Sequence, residues 1–168
     1  MTYDHITSNH VTGSDNYFEN FEIGAVYKHA RGKTVTENEA VTFCHMVMNT
    51  ADAHFNDARM AGAVIGTNAS IVFGGVTLSI VIGLAYQDTG EQVIEELELN
   101  NIKLQSSVSH GDTLYAYTEV LEKSNMPEMI SAGKILFRHY GVNQHNKVVF
   151  QGDRTVLLRK KNLKLFSI

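Results

Sequence analysis

The chain has no tryptophan, one cysteine and one proline in 168 residues. The single cysteine, Cys44, excludes an internal disulfide framework and points to a reducing compartment, so a cytoplasmic location is expected. Cys44 falls in an apolar, helix-patterned run, which suits a core thiol rather than a nucleophile. Pro127, the only proline, reads as part of a loop. Neither charge sign dominates, with 14 basic against 18 acidic residues and a net charge of −4. That balance offers no basic stripe for nucleic acid and no polybasic membrane face. The local cluster Arg159-Lys160-Lys161 with Lys164 is read as a solvated strand end. The longest apolar stretch, 76–86, is broken by Thr77, Ser79 and Gly83 and is too short to span a bilayer. Residues 1–16 are polar and lack the apolar core of a signal peptide, so a flexible arm is expected before a single domain over 17–168.

Periodicity sorts the domain into elements. Residues 17–24 read as a wrapping segment anchored by Tyr17, Phe18, Phe21 and Ile23, and 27–35 as a strand. Thr36-Glu37-Asn38-Glu39 is a capping box, in which a hydroxyl and a carboxylate satisfy each other's backbone amides. The helix it starts carries Ala40, Val41, Cys44, Val47 and Met48 at three- and four-residue spacing, which predicts one buried face and an end near Asn49. Asp57 is expected to cap a short turn over 57–61. A second helix, 74–86, closed by Gly90, is apolar on almost every side and is expected to be enclosed. Strands follow over 93–107, 113–123, 130–140 and 147–159, the last two joined by a turn at Asn143-Gln144-His145-Asn146. This order fits an α+β fold, a long antiparallel sheet wrapped around one central helix. One helix leaves part of such a sheet uncovered, which predicts a homodimer.

The stretch Asn49-Thr50-Ala51-Asp52-Ala53-His54-Phe55-Asn56-Asp57 sets two amides, two carboxylates and an imidazole in nine positions. Such a loop can aim several proton-handling groups at one point, as acid–base chemistry on a small substrate requires. His54 is the best proton acceptor near neutrality, with Asp52 and Asp57 as reserve carboxylates. The later run Ile71-Val72-Phe73-Gly74-Gly75-Val76-Thr77-Leu78 leaves backbone N–H groups accessible at a helix start, where the dipole favours negative charge. Structural alternatives stand beside each: Asn49 can close the preceding helix, and Gly74-Gly75 can permit close packing. His45 reads as a core histidine. The histidine spacing matches no HExxH-type site, and no metal is expected.

Together, the 49–57 loop, Val72-Phe73-Gly74-Gly75 and Ser109-His110-Gly111-Asp112-Thr113-Leu114-Tyr115 resemble the MaoC-type (R)-specific enoyl-CoA hydratase/dehydratase family. The loop stands where that family has Gly-Asp-x-Asn-Pro-x-His. Its aspartate falls on Asn49 and its Asn-Pro pair on Ala51-Asp52. Asn49-Thr50 with His54-Phe55-Asn56 is similar to the Asn-Thr-x-x-x-His-Phe-Asn version of the mesaconyl-CoA hydratase (β-methylmalyl-CoA dehydratase) subgroup. The resemblance implies a hot-dog fold over 17–160 and reversible hydration of a short or branched enoyl thioester. No cofactor is implied beyond the CoA or acyl-carrier thioester that is the substrate. It implies His54 as general base and acid, Asn49 as a positioning group, Asp52 as a reserve acid, and Gly75 with Gly74 as backbone oxyanion donors. Thr50, Phe55, Asn56 and Arg59 would meet the acyl group; Arg31 and Lys33, with Lys103, would meet the CoA phosphates. Two alternatives remain. A hot-dog thioesterase is disfavoured by the absence of a carboxylate over 74–86. A catalytically silent acyl-thioester-binding or tailoring protein is left open by Asn49 in place of aspartate.

Overall fold

The computed structural model describes residues 16–61 and 69–161, so the expected arm lies outside the described residues except for Asn16. Strand β1 (Val26–Thr34) follows a 3-10 turn at Phe18–Asn20. Thr36 then caps α1 (Glu37–Met46) through the expected box: its hydroxyl accepts the Glu39 N–H, and the Glu39 carboxylate accepts the Thr36 N–H at 3.2 Å. Lys33 adds its ammonium 2.5 Å from Glu39. Lys33 first, then Thr36, draws the Glu39 carboxyl down to about 2.

α1 ends earlier than its apolar spacing predicts. Met48 turns left-handed at φ 57°, the Asn49 N–H donates to the Cys44 carbonyl at 2.9 Å, and the Met48 N–H donates to His45 at 3.2 Å. These paired bonds are a Schellman closure, with methionine at the position that usually takes glycine. The turn carries Val47 and Met48 away from the buried face, which is formed by Ala40 and Cys44. Asn49 therefore closes the helix with its backbone rather than its side chain.

α2 (Asp57–Met60) is a single turn, and α3 (Gly74–Thr89) runs three residues past its expected end before Gly90 closes it. The remaining strands are β2 (Val93–Leu104), β3 (Thr113–Asn125), β4 (Ala132–Asn143) and β5 (Val148–Arg159). All pairings are antiparallel in the order β1-β3-β4-β5-β2. β3, β4 and β5 form a meander, and β2 pairs on the far side of β5.

α3 lies on the sheet against β3, β1 and β4. Gly141 permits that approach, since a Cβ there would stand 2.5 Å from a Val81 methyl. Val35, Val72, Val81, Leu114 and Phe150 fill the space beneath the helix. The 17–24 segment closes a second core, where Phe21 meets Phe137 edge to face at 5.0 Å beside Ile135 and Leu158. Burying each such large side chain is worth roughly 1.5–3 kcal/mol.

A buried polar row crosses the same sheet. His29 on β1 contacts Asp88 of α3 at 2.6 Å through Nδ1 and Thr118 of β3 at 2.7 Å through Nε2. Thr118 contacts Nδ1 of His139 on β4 at 2.8 Å. Arg154 on β5, 1% exposed, is bound to Glu96 of β2 and stacks over Tyr86. The enclosure expected for α3 is incomplete, because Ser79, Gly83 and Tyr86 face solvent. β2 is barely covered either: Leu97, Leu99, Ile102 and Leu104 are between 42% and 58% exposed.

Candidate active site

The polar loop begins where the Schellman turn releases the chain. The Asn49 side chain accepts the Ala51 N–H at 3.1 Å, a local turn that leaves its amide NH₂ free of that bond. Asp52–His54 forms one 3-10 turn, in which the His54 N–H donates to Ala51 at 3.0 Å. Asn56 accepts the Arg59 N–H at 3.1 Å and so caps α2. Asp57, expected in that capping role, instead accepts the Ser70 N–H at 2.7 Å. The difference is one position of phase: the chain turns helical at Asp57, so the residue before it is the cap.

His54 is half-buried, and its Nδ1 lies 2.9 Å from the Ile71 carbonyl oxygen. A carbonyl only accepts, so Nδ1 carries the proton and the neutral ring keeps its lone pair on Nε2. The Ile71 carbonyl is itself held. The Ile71 N–H donates to Ala53 at 2.9 Å, the Val72 N–H donates to Val108 at 2.9 Å, and Ile71 bridges to Ser109. The Phe73 ring leans on the imidazole at 5.4 Å.

His54 lines a cleft of about 450 Å³ with Phe73, Gly74, Thr77, Leu104, Gln105 and Ser106. Gly74 is the first residue of α3, whose N-cap, Phe73, offers no side-chain bond. The amides of Gly74 and Gly75 belong to the first turn and have no acceptor within the helix. They meet the dipole's positive end there. A Cβ on Gly74 would strike the Leu104 side chain across the cleft, and one on Gly75 would strike the Phe73 ring. The site therefore has one ring that can accept a proton, a pair of helix-start amides, and an apolar wall between them.

The other residues singled out in the sequence are placed differently. Asp52 and Arg59 are bonded to each other, both substantially exposed. Thr50 is exposed, and Phe55 stacks on His45 at 5.4 Å, a residue that is exposed rather than in the core. Lys33 is committed to Glu39, while Arg31 and Lys103 are exposed strand residues. Among the described residues no group of three or more His, Cys, Asp or Glu is arranged to hold a metal ion. Leu104, Gln105 and Ser106 line the cleft, although their sequence pattern predicts only the tail of a strand. The polar run Gln105-Ser106-Ser107 directly after apolar β2 is the signal that could have marked them.

A family model described as mesaconyl-CoA hydratase matches residues 6–160. The chain belongs to that family. This is the MaoC-like hot-dog dehydratase family, and the fold is the hot-dog one, a five-stranded antiparallel sheet packed on the central helix α3. A mesaconyl-CoA hydratase of Haloarcula marismortui is 29% identical over 154 residues, covering 86% of this chain and 42% of the relative. The chain thus spans less than half the length of that curated relative. A putative MaoC domain protein dehydratase from Chloroflexus aurantiacus superposes with a TM-score of 0.80 at 24% identity, over 96% of this chain and 50% of the other. A Mycobacterium tuberculosis protein described as a double hot-dog fold superposes at 0.78 with 23% identity, over 88% of this chain and 45% of that one. No helix among the described residues of this MaoC-like protein is long and apolar enough to cross a membrane.

Proposed function

We propose that the His54 cleft adds water reversibly across the double bond of a short or branched enoyl-CoA. The observation that carries this reading is the Nδ1 bond of His54 to Ile71, which leaves Nε2 as the proton acceptor of a ring that lines one cleft with Gly74, the first residue of α3. Nε2 takes one proton from water as the oxygen bonds Cβ. The double-bond electrons shift toward the thioester oxygen, whose developing charge the Gly74 and Gly75 amides stabilise. The proton on Nε2 then passes to Cα, so that water is added and His54 returns to neutral. Asn49 orients water or thioester through its amide, and Asp52, paired with Arg59, would have to leave that pair to act as reserve acid.

Thr50, Phe55 and Asn56 shape the acyl side of the loop, whose polarity disfavours a long alkyl chain. Arg59, already engaged by Asp52, would have to exchange partners to meet an acyl carboxylate. Arg31, and Lys33 if it exchanges Glu39 for them, are the cations offered to the CoA phosphates. A second copy of the chain would cover β2, an edge strand with an unpaired side and exposed Leu97, Leu99, Ile102 and Leu104.

A thioesterase reading gains nothing from α3. Its one acidic residue, Asp88, is buried near the C-terminal end against His29. Incubation with crotonyl-CoA and mesaconyl-CoA separates the classes. Loss of enone absorbance without free thiol marks a hydratase, thiol release marks a thioesterase, and neither marks an acyl-thioester-binding protein.

A further inference from the structure

Asp57 makes a bond that its place at the start of α2 does not require. Asn56 already caps that turn, yet Asp57 reaches Ser70 and accepts its N–H at 2.7 Å. Ser70 is 5% exposed. Its amide first, then its hydroxyl, holds the Asp57 carboxyl below the usual range, with His110 adding a weaker attraction. The bond ties the chain before residues 62–68 to the chain after them.

The residue after Ser70 is Ile71, whose carbonyl fixes the His54 ring. Among the described residues, the other bonds holding Ile71 and Val72 in place, to Ala53, Val108 and Ser109, are main chain to main chain. Asp57 adds a side-chain hold one residue earlier, on Ser70. N–H···O hydrogen bonds in proteins span about 2.7–3.2 Å between heavy atoms, and the His54 bond lies inside that range at 2.9 Å. Release of Ser70 would leave Ile71 held by those main-chain bonds alone, and a slight shift of its carbonyl past that range would let the imidazole take either tautomer.

We propose that Asp57 is a positioning residue: by clasping Ser70 it fixes the Ile71 carbonyl, and through it the tautomer and aim of His54. Asp57 does not meet the substrate. The carboxylate supplies two things, an acceptor of fixed reach and an anchor on α2. The inference rests on the reading of His54 as the proton-transferring group only for its effect on turnover; its effect on the tautomer stands alone.

The test is ¹⁵N NMR of the His54 imidazole in the wild type, Asp57→Ala and Asp57→Asn, with steady-state kinetics on crotonyl-CoA alongside. In the wild type the neutral ring should show a protonated Nδ1 and a bare Nε2, well separated. In Asp57→Ala the two resonances should converge, and kcat should fall roughly tenfold to a hundredfold with KM little changed, the cost of a slightly misplaced group. Asp57→Asn keeps an oxygen acceptor and should recover most of both losses. Resonances that stay apart in Asp57→Ala overturn the proposal, as does a shift in Asp57→Asn as large as that in Asp57→Ala. Should Asp57→Ala not fold, Asp57→Glu displaces the carboxylate by one methylene and is read by the same convergence. If the protein hydrates no thioester at all, the proposed activity is wrong and the NMR result still decides the role of Asp57.

Discussion

The Nδ1 of His54 stands 2.9 Å from the carbonyl oxygen of Ile71, a residue 17 positions later in the chain. That contact decides which ring nitrogen can do chemistry, and it links the polar loop to the segment that starts α3. The 3-10 turn at Asp52–His54 and the Ile71–Ser109 bridge bring the two together. The tautomer is thus a property of the fold as well as of the ring.

Gly74 should be intolerant of any side chain. A Cβ there would collide with Leu104, so Gly74→Ala must push the cleft wall outward. We expect a severalfold loss of turnover and, because the methyl struck is the free end of the half-exposed Leu104, a loss of stability below the roughly 1–3 kcal/mol of overpacking a closed core. The double variant Gly74→Ala/Leu104→Ala should regain part of the stability. Urea unfolding of the four proteins checks this, and additive losses would contradict the contact.

Met48 offers the opposite effect. It sits at φ 57°, 85% exposed, where the Schellman turn favours glycine. Left-handed backbone costs an L-residue roughly 1–2 kcal/mol, so Met48→Gly should raise the midpoint of urea unfolding. An unchanged or lower midpoint would show that the turn is not strained.

His139 should make stability depend on pH. Burial first, then the Arg154 and His29 charges, pushes its pKa well below the ordinary 6.5. The unfolded chain therefore takes up a proton at His139 that the folded chain refuses. Stability from this group is full above about pH 6.5 and falls as pH drops below it, by up to about 1.4 kcal/mol per pH unit. His139→Leu should flatten that part of the curve. A slope between pH 5 and 6.5 identical in both proteins would remove His139 as its source.

Asn49 can be assigned by separating two effects. Its side chain accepts the Ala51 N–H, and removing that bond should cost about 0.5–1.5 kcal/mol. If its free amide also orients water or thioester, Asn49→Ala should lose turnover beyond what the loss of stability explains. Full turnover in the folded variant would reduce Asn49 to a turn residue.

Much of the fold was legible because its signals are local. The Thr36–Glu39 box, the apolar α3 and the Gly90 closure each follow from a few adjacent residues. What escaped prediction depends on distant partners. Val47 and Met48 have helical spacing, but the turn at Met48 is set by backbone bonds to Cys44 and His45 that spacing does not encode. His29, Thr118 and His139 occupy inward positions of three strands, and only the strand order β1-β3-β4 makes them neighbours. His54 was legible from the loop's composition and from the resemblance. The Ile71 carbonyl that orients it was not, since a main-chain oxygen leaves no trace in the sequence. Asp57 misled for a related reason: a carboxylate before a helical turn looks like a cap, and its bond to Ser70 spans 13 residues.

The most direct measurement compares wild type and His54→Ala for the loss of enone absorbance from a short enoyl-CoA, after circular dichroism has shown both to be folded. The account predicts hydration by the wild type and a fall in kcat of roughly 10² to 10⁴ in the variant, the usual contribution of a general acid–base group. Equal rates in the two folded proteins would contradict it.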